Sequence, residues 1–352
     1  MVKDKKHIVV AMSGGVDSTV AAALLLAEGY QVSGLTMRVW DVEPLDEGQE
    51  PPHIMDARRV ASDLGIPLHV VDLRKEFRQQ VVAPFCDEYL AGRTPNPCVL
   101  CNRVFKFRRL LEEVEHLGAD ALATGHYARI VEDGGLRILA KGSNRHKDQS
   151  YFLFTLTQQQ LQRVIFPLGE MDKNEVRAKA ESLGLHVAQK GDSQDICFIP
   201  DGNYIDFLER HSDVTGAEGV IVHVSGKVIG RHRGAHRYTI GQRRGLGIAW
   251  PEPLYVVAID AVSREVVVGE KDHLQVDRLV TTGTNWIVPE PQEPLRARCR
   301  IRYRHQEALC SLVVLDSERV EVRFDEPQTG VSPGQAAVFY DDDRVLGGGW
   351  IA

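Results

Sequence analysis

Residues 13–18 have the side-chain types of an anion-binding turn. They read Ser-Gly-Gly-Val-Asp-Ser, follow the apolar run 7–12 and precede a run of helix formers at 19–26. Between a strand and a helix, glycines let backbone N–H groups approach an anion, and the helix dipole favours negative charge there. Ser13 and Ser18 can add hydroxyl donors, and Asp17 could hold a metal ion or cap the helix. The segment therefore predicts a phosphate site.

The turn lacks the lysine of a P-loop, and this absence limits the kinds of phosphate chemistry that it can support. No Gly-Lys-Ser/Thr is present, so the turn differs from the lysine-bearing P-loop that binds β- and γ-phosphates. The pattern Ser-Gly-Gly-x-Asp-Ser resembles the pyrophosphatase loop of enzymes that cleave ATP to AMP and pyrophosphate and adenylate a carbonyl oxygen. The alternative is a glycine turn that merely joins a strand to a helix. The complete hexapeptide in this setting favours ATP binding.

Three cysteines fall in polar stretches of the chain. Cys98 and Cys101 form a CxxC pair within residues 94–103, and Cys197 lies far downstream. Two prolines before the pair predict a rigid loop ahead of a helix. Cys101 would then lie near the helix N-terminus, where the dipole and Arg103 favour the thiolate. The remaining cysteines have apolar or strand-patterned neighbours and are interpreted as structural thiols: Cys86, Cys299 and Cys310.

A CxxC pair with one distant cysteine is compatible with three kinds of site. The sulfurs could be zinc ligands with a histidine such as His126 as the fourth, a redox pair that carries a persulfide, or ligands of an iron–sulfur cluster with one open iron. Spacing alone does not rank these alternatives. Adenylation turns a carbonyl oxygen into a leaving group, and a sulfur nucleophile can then replace it. The combination predicts thiolation.

Arginines alternate with other residues between 296 and 304. On a strand of period two, five guanidinium groups would project from one face: Arg296, Arg298, Arg300, Arg302 and Arg304. A solvated strand face is the alternative. Five like charges repel one another, however, and a phosphate backbone is a more economical counter-charge in an acidic chain. Basic, glycine-flanked turns at 231–237 and 242–245 also suit contact with a phosphate backbone, so we expect a nucleic-acid surface.

The elements that must position these groups form an alternating series up to about residue 205. Strand-like apolar runs at 8–12, 31–37, 67–72, 120–124 and 164–166 alternate with helical patterns at 55–64, 74–90, 104–117 and 173–183. This alternation predicts an α/β domain with an open parallel sheet covered on both faces. Ligands of such sheets bind beyond the carboxyl ends of the strands, where the 13–18 turn would lie. The acidic, proline-bearing stretch 39–52 is interpreted as a surface loop.

The rest of the chain is rich in predicted strands. A short helix at 203–211 leads into glycine-punctuated segments at 220–225, 227–230, 236–247 and 254–260, which predict a small β-rich domain. Strand patterns at 296–304, 309–315, 319–324, 336–340 and 345–350 then predict a small barrel or sandwich. The predicted domain limits are 1–205, 206–275 and 276–352.

Composition sets the class of protein. The chain has 352 residues, 43% hydrophobic and 26% charged, as expected of a globular protein with two or three domains. Its apolar runs fall short of the roughly 18 residues of a membrane span, so we expect a cytoplasmic protein without a membrane partner. In that compartment six cysteines do not predict a disulfide framework. The net charge of −7 means that any nucleic-acid surface must be local.

Motifs along the whole chain resemble the bacterial tRNA-specific 2-thiouridylases, which make 2-thiouridine at the anticodon wobble position. The Ser-Gly-Gly-x-Asp-Ser turn is shared with many adenylating enzymes. Lys-Asp-Gln-Ser-Tyr-Phe-Leu at 147–153 and Tyr-Thr-Ile-Gly-Gln-Arg-Arg-Gly-Leu-Gly at 238–247 are far narrower. The other matching motifs lie at 34–37, 92–97, 124–128, 192–199 and 332–338. The resemblance implies an ATP-pyrophosphatase domain of the adenine-nucleotide α-hydrolase-like fold, a small β-rich domain that binds tRNA, and a C-terminal β-barrel.

The resemblance also implies residue roles. Mg-ATP would bind at Ala11, Met12, Ser13, Gly14, Gly15, Val16, Asp17, Ser18, Met37 and Gly125, and adenylate O2 of the uridine with release of pyrophosphate. Cys101 would be the catalytic nucleophile, and Cys197 would carry a persulfide received from a donor protein, so that sulfur replaces the oxygen and AMP leaves. Contacts to tRNA would come from Lys147, Asp148, Gln149, Arg302, Tyr303 and Gln335, with His126 close to the target base.

One position departs from the family pattern. Many relatives carry Asp where this chain has Cys98, so a carboxylate role as acid or base is not carried over. Together, Cys98, Cys101 and Cys197 could instead hold a [4Fe-4S] cluster whose open iron delivers hydrosulfide. A Cys101–Cys197 disulfide formed in air would then be damage and not an intermediate. Both sulfur mechanisms stay open.

Two rival functions are compatible with parts of the pattern. An ATP-dependent synthetase of amide or guanidine groups could use the same loop on a small metabolite. It would need no RNA and no cysteines, and it leaves the arginine stretch unexplained. A zinc-bearing RNA-binding protein would hold metal and produce no AMP. The length of the family match favours thiolation over both.

Overall fold

The computed structural model describes residues 6–42, 46, 48–191, 196–212 and 218–352. The chain divides into two compact units. Unit 1 contains the chain up to Gln80, Cys98–Pro200 and Asp343–Leu346, and unit 2 contains Val81–Pro97, Asp201–Asp342 and Gly347–Ala352. Among the described residues, no helix combines the length and apolar character that a membrane crossing requires.

The strands of the first 200 residues include a parallel sheet, as predicted. They are β1 His7–Ala11, β2 Gln31–Arg38, β3 Leu68–Asp72, β4 Ala121–Thr124, β5 Ala128–Asp133, β6 Leu136–Lys141 and β7 Val164–Ile165. The sheet has the order β3-β2-β1-β4-β7, and every pairing in it is parallel. Strands β5 and β6 form an antiparallel hairpin that the sequence analysis missed.

Helices connect the parallel strands. They are α1 Val16–Ala27, α2 Pro52–Leu64, α3 Arg74–Phe77, α4 Ala83–Leu90, α5 Pro97–Cys101, α6 Leu110–His116, α7 Gln158–Leu161 and α8 Lys173–Ser182, with π-helical turns at Arg78–Val82 and Asn102–Arg109. The core of the sheet consists of apolar side chains from alternate strand positions and from α1, such as Ile8, Val10, Val20 and Leu25. This packing fixes the first turn of α1 against the carboxyl end of β1.

The helix that carries the CxxC pair begins earlier than predicted. Helix α5, the π-helical turn and α6 are continuous, so the helix runs from Pro97 and not from about residue 104. Proline at the first helical position loses no hydrogen bond and has a suitable φ, which explains why the second proline begins the helix instead of blocking it. Cys98 therefore lies in the first turn and Cys101 in the second.

The predicted surface loop at 39–52 is confirmed in the residues that the structure describes. Residues 39–42, 46 and 48–51 contain no helix or strand, and α2 begins at Pro52. Residues 43–45 and 47 of this prediction lie outside the described residues. Helix α2 ends at Gly65, whose φ of +66° is the left-handed conformation that favours glycine at a helix C-terminus.

Beyond residue 200, the residues that the structure describes include one α-helix and two β structures. Helix α9 spans Tyr204–His211, and the strands are β8 Gly219–His223, β9 Val228–His232, β10 Tyr255–Asp260, β11 Glu265–Gly269, β12 Gln275–Trp286, β13 Leu295–Arg300, β14 Ala308–Val314, β15 Val320–Thr329, β16 Ala336–Asp341 and β17 Arg344–Ile351. Strands β8–β11 form a small sheet with the order β10-β11-β8-β9. The predicted strand-like segment 236–247 is mostly turns.

The C-terminal strands form a closed barrel. They follow the order β12-β15-β14-β13-β16-β17, and a further pairing between β17 and β12 closes the ring. The inward residues of β13 and β14 are apolar or cysteine, and Cys299 and Cys310 are completely buried among them. Both are free thiols, as are Cys86 and the other cysteines.

Candidate active site

The turn at residues 13–18 is built as an anion-binding loop between β1 and α1. Gly14 has a φ of +69°, and a Cβ atom there would lie 2.6 Å from the carbonyl oxygen of His53. Only glycine fits this position. The Ser18 hydroxyl accepts from the backbone N–H of Ser13 at 3.2 Å and donates to the carbonyl oxygen of Gly15 at 3.2 Å. These bonds hold the turn open toward the start of α1.

A close approach of β4 to α1 completes this edge of the sheet. Gly125 follows β4, and a Cβ atom there would lie 2.8 Å from the backbone N of Ser18. Met12 is buried in the core, and Met37 lies half-buried at the carboxyl end of β2. Ala11 ends β1, and Val16 begins α1 as a buried residue. All the residues predicted for ATP thus lie at one edge, where parallel strands place their ligands.

Asp17 has partners that the sequence did not reveal. Its carboxylate accepts from the Tyr127 hydroxyl at 2.8 Å and from the Lys173 ammonium at 2.7 and 2.9 Å. Lys173 is the first residue of α8, and its side chain is 11% exposed. A second lysine, Lys190, donates to the carbonyl oxygen of Gly14 at 3.1 Å and to Asp56 at 2.6 Å. The loop therefore has cations beside it, although none is in its own motif.

The sulfurs of Cys98, Cys101 and Cys197 lie in unit 1 and are close enough to act on one another electrostatically. Cys98 and Cys197 keep solvent-exposed surface and Cys101 is half-buried, while protein atoms crowd all three sulfurs. Burial raises the pKa of Cys101 to about 11 and the pKa of Cys197 to about 12, and it raises the pKa of Cys98. The predicted thiolate at Cys101 is thus wrong for this state, because desolvation outweighs the helix dipole.

One ammonium group opposes this rise of the thiol pKa values. The charge of Lys106, in the turn of helix after Cys101, lowers the pKa of each of the three thiols. The sequence analysis assigned this effect to Arg103, whose side chain is exposed. Lys106 is half-buried, and its Nζ lies 3.5 Å from Nε2 of His126.

His126 is buried and neutral. Its Nδ1 lies 2.7 Å from Oγ1 of Thr124, and its ring is 8% exposed. Burial and the neighbouring Lys106 charge hold the pKa of His126 well below its usual range. The ammonium next to Nε2 favours the tautomer that carries its proton on Nδ1. The ring therefore presents little surface of its own to a tRNA base.

The three cysteines do not form a ready-made ligand set. Among the residues that the structure describes, no group of three or more His, Cys, Asp or Glu side chains could hold a metal ion as placed. Residues 192–195 of the motif around Cys197 lie outside the described residues.

The loop predicted to contact tRNA at 147–149 is held by its own side chains. Asp148 is 2% exposed and accepts from the backbone N–H of Gly142 and of Ser150, both at 3.1 Å. The side chain of Gln149 accepts from the backbone N–H of Tyr127 at 3.0 Å. Lys147 is half-buried at the start of this stretch. Asp148 and Gln149 thus shape the loop, whatever else they contact.

The predicted arginine strand is shorter than expected. Strand β13 ends at Arg300, the chain bends at the completely buried Ile301, and Arg302 and Arg304 lie in the bend and turn that follow. Two of the five guanidinium groups pair with carboxylates: Arg296 with Asp325 at 2.8 and 2.6 Å, and Arg300 with Glu307 at 2.9 Å. The prediction that five guanidinium groups project from one face of a single strand is therefore wrong, because the strand ends at Arg300.

The remaining residues predicted for tRNA lie in unit 2. Arg302 is exposed and donates to the neutral carbonyl oxygens of Thr329 and Gly330, at 3.1 and 3.4 Å. Tyr303 is half-buried beside it. Gln335 donates to the carbonyl oxygens of Thr94 and Pro95, at 2.9 and 3.2 Å. Gln335 thus fastens the proline segment that precedes α5.

The sequence analysis missed four residues of these two sites: Tyr127, Lys173, Lys190 and Lys106. Tyr127 lies inside a family motif, yet its hydroxyl gave no sign of reaching Asp17. Lys173 follows Asp172 and precedes Glu175, and this capping box marks a helix start without indicating a ligand. Lys106 lies five residues after Cys101, a spacing that does not place two side chains on one face of an α-helix, so no sign of this pair was visible in the sequence.

Three family models match the chain. Residues 6–201 match the tRNA methyl transferase HUP domain, residues 205–270 the tRNA methyl transferase PRC-barrel domain, and residues 276–351 the aminomethyltransferase beta-barrel domain. A 4-thiouridine synthetase solved with RNA and bound ATP is similar over 58% of this chain and 50% of its own, at 22% identity and a TM-score of 0.40.

Two curated relatives match over nearly their whole length. The tRNA-specific 2-thiouridylase MnmA of Syntrophotalea carbinolica is 80% identical over 100% of both chains. The MnmA of Geobacter metallireducens is 54% identical over 99% of this chain and 97% of its own. With the pyrophosphatase-type loop and the cysteines of unit 1 in place, the chain belongs to the family of tRNA-specific 2-thiouridylases.

Proposed function

We propose that this protein uses ATP to convert the wobble uridine of tRNA into 2-thiouridine. The observation that carries the proposal is the presence, in one unit, of a preformed phosphate loop and three mutually interacting cysteines. Neither feature alone selects this reaction. A phosphate loop serves many adenylating enzymes, and cysteine clusters serve many purposes, but activation of an oxygen beside reactive sulfur is the chemistry of thiolation.

The first half-reaction activates the base. O2 of the uridine attacks the α-phosphorus of ATP, the bond between the α-phosphorus and the bridging oxygen breaks, and pyrophosphate leaves. Backbone N–H groups of the loop and the N-terminus of α1 bind the phosphates that carry the negative charge. Asp17 fits a magnesium ion bound with ATP, because a carboxylate retains lone pairs beyond those used by its two partners. Bound magnesium would neutralise charge on the departing pyrophosphate.

The second half-reaction replaces the oxygen. The terminal sulfur of a persulfide on Cys197, loaded by a donor protein, attacks C2, and the C2–O bond breaks to release AMP. The Cys101 thiolate then attacks the inner sulfur of Cys197, which releases 2-thiouridine and leaves a Cys101–Cys197 disulfide. A dithiol reductant must supply two electrons to restore the thiols. The assignment gives Cys101 and Cys197 distinct roles and leaves Cys98 an accessory thiol.

A [4Fe-4S] cluster on Cys98, Cys101 and Cys197 is the alternative source of sulfur. As placed among the described residues, these three side chains are not grouped so that they could hold a metal ion. No step of the proposed reaction is therefore assigned to a cluster. Iron and acid-labile sulfide, measured per chain in protein purified without oxygen beside a Cys98→Ala control, decide between the two sources.

Reconstitution tests the proposed function directly. Purified protein, ATP, magnesium, unmodified tRNA and a persulfide donor should yield 2-thiouridine, AMP and pyrophosphate in equal amounts. Omission of tRNA should stop AMP production, which separates this function from synthesis of a small metabolite. Equal AMP production without tRNA, or thiolation without ATP consumption, would contradict the proposal.

Arg302 is the arginine that we propose to contact the tRNA backbone. Arg302→Ala should weaken tRNA binding and reduce the slope of log K against log salt by about one, because one phosphate contact is lost. Arg296→Ala is the matched control, since that guanidinium already pairs with Asp325. We expect its salt slope to equal that of the wild type. An unchanged slope for Arg302→Ala would return Arg302 to the solvated-surface alternative.

A further inference from the structure

We infer that Trp40 is a positioning residue for sulfur transfer, because its indole supports Phe198 and so fixes the place of Cys197. This inference rests on the proposed function and deepens it, since it adds a residue to the second half-reaction. Trp40 lies just beyond β2, the strand that carries Met37, and thus at the sheet edge predicted to bind ATP. None of the residue roles implied by the resemblance includes it.

Cys197 and Phe198 occupy the middle of one tight turn. The backbone N–H of Ile199 donates to the carbonyl oxygen of Ile196 at 2.8 Å, and this bond closes the turn around them. Phe198 is 3% exposed, whereas Cys197 keeps solvent-exposed surface. Because the two residues are neighbours in a closed turn, the place of the buried ring determines where the exposed cysteine lies.

Two aromatic rings pack against the ring of Phe198. Its centroid lies 6.2 Å from that of Trp40, at an interplanar angle of 58°, and 5.7 Å from that of Phe77, at 75°. Tilted pairs at such distances attract one another by more than the burial of their area accounts for. Phe77 is completely buried. The turn is therefore supported by one ring of the core and by the indole of Trp40.

The same set of rings reaches the helix that carries Cys101. The centroid of Phe77 lies 5.4 Å from that of Phe105, which is completely buried and follows Cys101 by four residues in the continuous helix. We call the four rings the aromatic row: Trp40, Phe198, Phe77 and Phe105. The aromatic row thus connects the turn at 196–199 with the helix of the CxxC pair.

Trp40 itself stands on a fastened segment of chain. The carboxylate of Asp41 accepts two bonds from Arg38, both at 2.9 Å, and one from Arg74 at 2.6 Å. These charge-assisted bonds hold the chain on both sides of Trp40. The guanidinium carbon of Arg78 lies 5.6 Å from the centroid of the indole, which is a cation–π distance. The indole is therefore held in place and can support the turn.

Oxidation of the thiols tests where Cys197 lies in the absence of substrates. Diamide takes two electrons and two protons from a pair of thiols and leaves a disulfide. Peptide mass spectrometry on the full chain then gives the yield of the Cys101–Cys197 disulfide relative to that of Cys98–Cys101, which lies within one helix and serves as an internal reference. At a fixed pH, Trp40→Ala should lower this ratio about 2- to 10-fold, the factor that corresponds to one aromatic pair.

The two half-reactions provide a second test. Trp40→Ala should lower kcat for 2-thiouridine formation about 10- to 100-fold, because a small displacement of a reacting group has effects of this size. The KM for tRNA should not change. Exchange of labelled pyrophosphate into ATP, measured with tRNA, reports the first half-reaction and should change less than about twofold. Trp40→Phe retains a ring and should recover most of kcat and most of the disulfide ratio.

Trp286→Ala is the matched control. The ring of Trp286 packs against Phe339 in the barrel, with the centroids 5.7 Å apart, so this variant removes a similar contact from unit 2. It should leave the disulfide ratio unchanged. A wild-type ratio in Trp40→Ala would overturn the inference. Equal losses of pyrophosphate exchange and thiolation in Trp40→Ala would do so as well, because Trp40 would then serve the ATP site.

The failure of the inference differs from failure of the proposed function. Wild-type protein that makes no 2-thiouridine from ATP and a persulfide donor would contradict the proposed function. Wild-type protein that thiolates tRNA, together with a Trp40→Ala variant of unchanged disulfide ratio, would overturn only the role of Trp40. Thermal unfolding shows whether each variant is folded. Trp40→Leu keeps apolar bulk without a ring, and we expect the same fall of the ratio from it if Trp40→Ala unfolds.

Discussion

The two chemical sites of unit 1 differ in how completely the free protein has assembled them. The phosphate loop is finished: Gly14 is in its left-handed conformation, Ser18 is hydrogen-bonded to both sides of the turn, and a lysine stands beside Asp17. The cysteine site is not. Its sulfurs are free thiols whose pKa values are raised, and they do not constitute a metal site as placed among the described residues.

This contrast follows from the chemistry of each site. A loop that binds phosphate needs only fixed donors and can be rigid before ATP arrives. A thiolate or persulfide exposed at all times would be oxidised or alkylated, whereas a buried thiol is inert until its surroundings change. The phosphate loop is thus prepared in the free protein, whereas the sulfurs need a change in their surroundings before they become thiolates.

Removal of the cysteines should have the largest effect and should separate the two sites. We expect Cys101→Ala and Cys197→Ser each to reduce 2-thiouridine formation by at least about 10³-fold, because each removes a sulfur that the proposed reaction requires. ATP affinity should stay within about twofold, since the loop does not depend on these residues. Quantification of 2-thiouridine in digested tRNA, beside ATP calorimetry, measures both.

The control for the cysteine variants is a cysteine of the barrel. Cys310→Ala removes a buried thiol of unit 2 and should retain thiolation, although it costs stability. Normal thiolation by either Cys101→Ala or Cys197→Ser would show that these cysteines do not supply the sulfur, and it would contradict the contrast between the two sites.

A change in the finished loop should have the next largest effect. Gly14→Ala forces a side chain into a φ of +69° and against the His53 carbonyl oxygen at 2.6 Å. A non-glycine residue in the left-handed region costs about 1–3 kcal/mol, and the collision adds to that. We expect the loop to shift and ATP affinity to fall about 10-fold or more.

Gly29→Ala is the matched variant for Gly14. It has a similar φ of +89°, but nothing lies within 4 Å of the added Cβ atom. Its unfolding midpoint should drop while its ATP affinity is retained. Equal ATP affinities for the two variants would show that the loop is not preorganised. The phosphate loop would then not differ from the cysteine site in this respect.

The sequence predicted the phosphate loop better than the cysteine site. The loop, its strand and its helix are local features, and a hexapeptide with one turn geometry determines most of the phosphate site. The strands and helices of the parallel sheet were confirmed for the same reason, since each has its own apolar pattern. The hairpin of β5 and β6 was missed although its signal is local, since Gly134 and Gly135 form a two-residue turn with positive φ between the two strands.

What the sequence did not predict depends on long-range packing. Lys173 reaches Asp17 from a helix that begins 156 residues later, and no spacing rule connects them. The direction of the Cys101 pKa was wrong because the helix dipole is visible in the sequence, whereas the desolvation that exceeds it arises from tertiary contacts. The prediction for the arginines at 296–304 was wrong for a similar reason. Their partners Asp325 and Glu307 could not be recognised from the sequence pattern.

The pH dependence of cysteine reactivity gives the smallest effect and the finest test of the unfinished site. Burial raises the pKa of Cys101 to about 11 and that of Cys197 to about 12, above the usual value of about 8.5. Below the raised pKa both sulfurs are protonated, so iodoacetamide should label them slowly at pH 8. Labelling should still rise about tenfold per pH unit up to pH 10, where an ordinary cysteine has levelled off.

Variants of Lys106 and Arg103 show which of these two cations affects the pKa of the Cys101 thiol. The Lys106 charge lowers the pKa of Cys101, so Lys106→Met should raise that pKa further and slow labelling at pH 9 by a few-fold. Arg103→Met removes an exposed cation from the same helix and should leave the rate unchanged. Peptide mass spectrometry of labelled Cys101 measures both rates. Fast labelling that levels off near pH 8.5 would show that the Cys101 thiol ionises normally in the free protein. The cysteine site would then be as ready for its chemistry as the phosphate loop is.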